Sequence, residues 1–318
     1  MNRPLVSVKG VCKDYRLPTK YMWRPAPLIR ALHGIDLDME RGSSLGIVGE
    51  SGCGKSTLAR IVMALEKPTC GTVIFEERDI FQLSVTELKG LRRNFQMVFQ
   101  DPYGSLNPKM DILDTVAEPL NTMKKRLSRT EREERVEQVL TEVGLKSTDM
   151  GKFPHEFSGG QRQRIGIARA LVTRPSLIVA DEPVSALDVS VQAQVLNLMM
   201  ELQEKYTLSY LFISHDLSVV EYVTDQIAVL YAGRIMERGS TKSLFRHPLH
   251  PYTRMLFQAV PSLEPSIGRS AEAVSSFQGT ERSCPFLGRC CRATEACVDS
   301  APKLAGKKEH RVACHHFP

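Results

Sequence analysis

The chain has 318 residues, 42% hydrophobic and 25% charged, which exceeds one compact domain and matches an ordinary globular protein, so a large core with an appendage is expected. No stretch approaches the unbroken apolar length that crosses a bilayer as a helix. With 42 basic and 36 acidic residues the net charge is +6, too even to mark a nucleic-acid binder.

Residues 1–10 alternate like a strand through Leu5, Val6 and Val8 and lack the basic start and apolar centre of a secretory signal, which places the chain in the cytosol. Residues 4–9, 35–39 and 72–75 read as strands of a small sheet. Tyr15 follows the first of them, where an exposed ring is placed to stack on an adenine face; a tyrosine there also serves plain packing. Residues 21–30, with Trp23, Pro25 and Pro27, read as an irregular insertion without an assigned role.

The apolar run Leu45-Gly46-Ile47-Val48 leads into Gly49-Glu50-Ser51-Gly52-Cys53-Gly54-Lys55-Ser56-Thr57, after which Leu58, Ile61, Val62 and Leu65 recur at helical spacing. Glycines between a buried strand and a helix start are the setting of a phosphate-binding P-loop. Backbone N–H groups and the helix N-terminus cradle phosphates, Lys55 reaches the terminal ones, and Ser56 offers a hydroxyl to Mg²⁺. An ordinary glycine-rich turn has no need of a lysine and a hydroxyl at these offsets.

Further on, an apolar strand ends at Gln100 and a turn-rich loop begins. Sites often sit on such loops. Lys124-Lys125-Arg126 reads as a solvated face. Ser128-Arg129-Thr130-Glu131 has the capping-box pattern, and Val136, Val139, Leu140 and Val143 form a helical stripe ended by Gly144, which predicts a helical subdomain. Phe157-Ser158-Gly159-Gly160-Gln161 precedes Ile165, Ile167, Ala168 and Leu171 at helical spacing. Two readings stand: a serine-capped helix, or a second anion site at a helix N-terminus.

Residues 177–180 form an apolar strand that ends in Asp181 and Glu182. Beside a P-loop, the first carboxylate suits Mg²⁺ and the second suits polarisation of an attacking water; the other reading is a pair of solvated turn residues. Val191, Val195, Leu198, Met199 and Leu202 mark a core-packed helix. The next buried strand, 208–214, ends at His215, on the ligand-binding edge of an α/β sheet.

A Pro-, Ser- and Ala-rich connector over 261–280 leads to a tail in which Cys284, Cys290, Cys297 and Cys314 are separated by five, six and sixteen residues. Four thiolates suit iron–sulfur or zinc, four unlinked buried thiols are the plain alternative, and the cytosol disfavours disulfides. Cys291 competes with Cys290 as second ligand. With few large apolar residues, among them Phe286, Leu287 and Leu304, the tail is expected to gain order from a metal.

In this order the motifs of residues 4–239 resemble the ATP-binding cassette ATPases of transporters. The resemblance implies an α/β fold: a P-loop NTPase core with a small antiparallel β subdomain and a helical subdomain over about 101–172, together forming a cassette over 1–240. A cysteine-bearing extension over 241–318 follows. It also implies bound ATP and Mg²⁺, with Tyr15 stacking on adenine and residues 49–57 as the Walker A loop. Gln100 is then the Q-loop glutamine and joins Ser56 and Asp181 at Mg²⁺. Glu182 is the catalytic glutamate, His215 the switch histidine, and Ser185-Ala186-Leu187-Asp188 the D-loop. Ser158-Gly159-Gly160-Gln161 resembles the signature motif that acts on a partner's ATP, with Phe157 replacing the usual leucine.

Phe99-Gln100-Asp101-Pro102-Tyr103-Gly104-Ser105-Leu106-Asn107-Pro108 and His247-Pro248-Leu249-His250-Pro251-Tyr252-Thr253 narrow the resemblance to the oligopeptide, dipeptide and nickel importer branch. That branch implies an ATP-hydrolysing subunit paired head-to-tail with a second, different ATPase chain. The pair sits on two permease subunits at the cytoplasmic face of the membrane, served by an extracytoplasmic solute-binding protein. Di- or oligopeptides are the expected solute, with nickel, opines and glycosides as alternatives. The branch's C-terminal cysteine motif holds a [4Fe–4S] cluster in some members, which favours iron–sulfur over Zn²⁺ here. A soluble cassette acting on ribosomes or DNA would carry a second fused cassette or a coiled-coil insertion, and the sequence has neither.

Overall fold

The computed structural model describes residues 3–17, 27–101, 103–123, 127–258, 280, 282–307 and 309–317. Trp23 and Pro25 of the expected insertion, the basic cluster 124–126 and nearly all of the connector 261–280 lie outside the described residues.

Two long strands, β1 (Val6–Arg16) and β2 (Leu28–Met39), pair antiparallel, with Val6 opposite Met39 and Tyr15 opposite Ile29. Leu28 to Arg30 therefore begin a strand and do not belong to an irregular stretch, because alternation through Leu32 and Ile35 carries them onto β1. After β3 (Ser44–Val48) and helix α1 (Lys55–Val62), the strands β4 (Cys70–Phe75) and β5 (Arg78–Asp79) complete this small sheet in the order β2-β1-β4-β5. Leu58, Ile61 and Val62 are buried as the spacing predicts, but Leu65 is 55% exposed. The helix stops at Val62, and Ala64 turns to a φ of 50°, which swings Leu65 off the stripe.

The helical side follows: α2 (Val85–Leu91), strand β6 (Phe95–Val98), α3 (Ile112–Ala117), α4 (Arg129–Glu142) and α5 (Gly159–Leu171). Ser128 and Glu131 close the expected box, with Glu131 N–H donating to Ser128 Oγ at 3.2 Å and Ser128 N–H to the Glu131 carboxylate at 2.7 Å. Val136, Val139 and Leu140 of α4 share one buried cluster with Ile165, Ala168 and Leu171 of α5.

The remaining elements are β7 (Leu177–Asp181), α6 (Val189–Tyr206), β8 (Ser209–Ile213), α7 (Leu217–Val223), β9 (Gln226–Tyr231) and β10 (Arg234–Ser240). Beyond them come α8 (Thr241–Arg246), α9 (Pro251–Gln258), α10 (Glu295–Asp299), β11 (Ala305–Lys307) and β12 (His310–Val312). Among the described residues the core sheet runs β11-β12-β10-β9-β3-β8-β7-β6. The strands from β9 to β6 in that order are mutually parallel, and β3 is buried along its whole length between β8 and β9. Helices cover such strands on both faces, so they read as continuous apolar runs.

The tail is built onto this sheet: β12 pairs antiparallel with β10, setting Val312 opposite Glu237. Glu237 is fully buried, and its carboxylate accepts the N–H groups of Leu249 at 2.8 Å and His250 at 2.9 Å and meets His310 Nε2 at 2.6 Å. Three hydrogen bonds satisfy a group that would be costly to bury alone. Burial lowers His250 to about 4, so its neutral ring can accept the Tyr252 N–H at 3.0 Å and cap α9, whose first residue is Pro251. Phe286 and Leu287 are each 2% exposed and pack with Tyr252, Val48 and Val229. At about 1.5–3 kcal/mol for each side chain buried, this apolar cluster gives the tail a source of order besides any metal.

Candidate nucleotide-binding site

The parallel strands align their carboxyl ends on one edge of the sheet, where ligands of open α/β folds bind. Gly49 leaves β3 at a φ of +151°, and a Cβ there would stand 2.1 Å from the Leu230 carbonyl oxygen, so the position requires glycine. The chain then loops into α1, whose first N–H groups lack intrahelical acceptors. Lys55 is 7% exposed, and its Nζ donates to the carbonyls of Gly49 at 2.7 Å and Glu50 at 2.9 Å. A buried ammonium is thus held at the middle of the loop, facing a cleft of about 620 Å³. Lys55, Ser56 and Thr57 line the cleft together with Gln100, Glu182 and His215.

Asp181 is half-buried at the end of β7, near the Ser56 hydroxyl. Burial, and then the adjacent Glu182 charge, raise its pKa, while Arg60 and Lys55 oppose the rise. A carboxylate so placed, with a hydroxyl beside it, suits a divalent cation. Glu182 holds a φ of +48°, unusual for a residue with a Cβ and costing on the order of 1–2 kcal/mol. Its N–H is fixed to the Ile213 carbonyl at 2.8 Å. Gln100 Nε2 donates to one carboxylate oxygen at 2.8 Å and His215 Nδ1 meets the other at 2.9 Å. A carboxylate only accepts, so Nδ1 carries the hydrogen of that bond. Two residues from the neighbouring strand ends therefore fix the Glu182 carboxylate at the cleft, a placement suited to taking a proton from water.

Tyr15 stands beside the loop's far end: its hydroxyl donates to Glu66 at 2.9 Å and lies 3.4 Å from the Thr57 hydroxyl. Ser158 caps α5, accepting the Gln161 N–H at 3.3 Å while Gln161 Oε1 accepts the Ser158 N–H at 3.0 Å. A Cβ on Gly160 would meet Val191 Cγ1 at 2.3 Å, so glycine lets α5 abut the start of α6, which Asp188 caps by accepting the Val191 N–H at 3.0 Å. Residues 158–161 and Asp188 do not line the cleft of their own chain.

Sequence reasoning missed the partners of Glu50. Its N–H donates to the Tyr252 hydroxyl at 3.0 Å, and Arg289 Nη1 lies 3.0 Å from each of its carboxylate oxygens. Cys284, Cys290 and Cys297 are buried and Cys314 half-buried, whereas Cys291 is exposed, so Cys290 is the inward member of the adjacent pair. Burial pushes the Cys284 thiol up to about 11, and the nearby Cys297, Cys290 and Cys314 add to the rise. Among the described residues no three His, Cys, Asp or Glu side chains stand together as a site for one metal ion.

A phosphate loop facing a glutamate braced between a glutamine and a histidine defines the chain as a cassette-type ATPase. Residues 32–185 match the family described as "ABC transporter", and residues 236–297 match "Oligopeptide/dipeptide transporter, C-terminal region". The chain is 46% identical to the oligopeptide transport ATP-binding protein AppF of Bacillus subtilis, covering 98% of this chain and 97% of that one. It is 47% identical to the di/tripeptide transport ATP-binding protein DppF of Pseudomonas aeruginosa, with the same coverage. Among solved structures, the ATP-binding cassette MJ0796 in a dimeric post-hydrolysis state with ADP and Pi is 31% identical, with a TM-score of 0.66, covering 74% of this chain and 98% of that one. The chain belongs to the ABC transporter family and carries the C-terminal region of its oligopeptide/dipeptide branch.

Proposed function

We propose that this chain is the ATP-hydrolysing subunit of a peptide importer. The observation that carries the proposal is Glu182, held by Gln100 and His215 in the cleft that Lys55 also lines. ATP phosphates join the Gly49 and Glu50 carbonyls as partners of Lys55, whose ammonium has three N–H donors, and Tyr15 stacks on the adenine. Glu182 accepts the proton of the attacking water, and His215 keeps its carboxylate aimed. Ser56, Asp181 and Gln100 hold Mg²⁺, which supplies charge neutralisation at the phosphates.

Residues 158–161 and Asp188 lie off their own cleft, which supports a role at the ATP of a second cassette. We read the pair as a heterodimer with another ATPase subunit. Phe99 and Tyr103, 43% and 65% exposed, flank Gln100 and offer a contact for two permease subunits, with a solute-binding protein on the far side of the membrane. Among the described residues no helix is long and apolar enough to cross a membrane, and docking of this kind would hold the chain at the cytoplasmic face. In vesicles carrying the full assembly, dipeptide with the binding protein should raise phosphate release. Stimulation by nickel or glycosides, with none by peptides, would overturn the peptide reading.

For the four cysteines we favour a [4Fe–4S] cluster over Zn²⁺. What supports a metal at all is the donor set: Cys290, Cys297 and Cys314 lie near enough to Cys284 to raise its thiol pKa, and four thiols would suit either group; the resemblance to the importer branch's cysteine motif favours the cluster. Its role is structural, since ATP hydrolysis has no redox step. Anaerobically purified protein should absorb near 400 nm with iron and acid-labile sulfide. Colourless protein with stoichiometric zinc would establish the alternative.

A further inference from the structure

We propose that Tyr252 and Arg289 are positioning residues of the ATP site, setting the phosphate-binding loop from the C-terminal extension through Glu50. The proposal rests on the assignment of residues 49–57 as the ATP loop and adds the device that holds it. Glu50 is gripped at three points. Its N–H bonds the Tyr252 hydroxyl at 3.0 Å, its carboxylate meets Arg289 Nη1 at 3.0 Å through both oxygens, and its carbonyl accepts Lys55 Nζ at 2.9 Å. A constraint applied by the extension thus reaches the lysine that faces the phosphates.

The gripping residues are themselves fixed. Tyr252 is fully buried, with ring centroids 4.5 Å from Tyr231 and 5.5 Å from Phe286, and the Arg289 guanidinium stands 5.7 Å from the Phe286 ring. Charge adds a second reason. A carboxylate one residue into a phosphate loop repels the polyanion it serves, and Arg289 offsets that charge by pairing with both carboxylate oxygens. Both side chains are about 40% exposed, 40% for Arg289 and 41% for Glu50, so the pair is screened and its effect modest.

The test is the dissociation constant of the full chain for the nonhydrolysable analogue AMP-PNP with Mg²⁺. Tyr252→Phe keeps the ring packing and should weaken binding by about three- to tenfold through loss of one hydrogen bond. Arg289→Ala should weaken it by about two- to fivefold at low salt, and less at high salt. Adding Glu50→Gln to Arg289→Ala should restore affinity to within about twofold, because the repelling charge is gone; a merely structural Arg289 would show no such rescue and no salt dependence. Should Tyr252→Phe fail to fold, the partly exposed Arg289 series decides alone. Parent-like affinity in Tyr252→Phe and Arg289→Ala, with binding lost in Lys55→Ala, would overturn the proposal. Parent-like affinity in Lys55→Ala would instead overturn the loop assignment beneath it.

Discussion

Lys55→Ala is expected to lower ATP turnover by about a hundredfold or more, in line with the removal of one preorganised charge from a transition-state site. Lys55 is buried and already desolvated, so its attraction for the β and γ phosphates is little screened. Alanine retains helix propensity at the first position of α1, and Leu58, Ile61 and Val62 still anchor that helix. The fold should therefore stand while the phosphates lose their cation. Phosphate release by purified assembly carrying the change in every P-loop checks this; activity within a few fold of the parent would refute the site.

Glu182→Gln should leave ATP binding intact and lower kcat by about 10²- to 10⁴-fold, the range for loss of a general base. The amide fills the same space, and its oxygen can still accept the Gln100 amide N–H that now reaches the carboxylate at 2.8 Å. It cannot take a proton from water. The like charge beside Asp181 also disappears, which eases Asp181 ionisation, so cation binding should not suffer. The population should shift toward an ATP-loaded, closed pair, measurable as a stable dimer by light scattering. Parent-like turnover would remove Glu182 from the role of base.

Much of the site was legible because its signals are local. Strand, glycines, lysine and helix start follow one another in residues 45–62, and a buried strand ending in two carboxylates marks Asp181 and Glu182. The capping reading of Ser158 was equally local, and the structure realises it through Gln161. What escaped depends on distance along the chain. The contacts of Glu50 with Tyr252 and Arg289 span 202 and 239 residues, and nothing near Glu50 announces them. By composition the tail is poor in apolar residues, yet Phe286 and Leu287 complete a cluster with residues of β3, α7, β9, β10, α8 and α9. A composition count sees only one side of such a cluster. Leu65 departs for a different reason: the periodic pattern continues past Val62, where the helix ends, and Ala64 turns the chain away.

Hydrolysis at this cleft is expected to drive solute uptake. The measurement that tests it is simultaneous recording of phosphate release and labelled-dipeptide accumulation in vesicles carrying the complete assembly, with wild-type chain and with Glu182→Gln. Both rates should fall together in the variant, while ATP remains bound and the assembly remains whole. Dipeptide uptake that continues at the wild-type rate after hydrolysis has stopped would contradict the account.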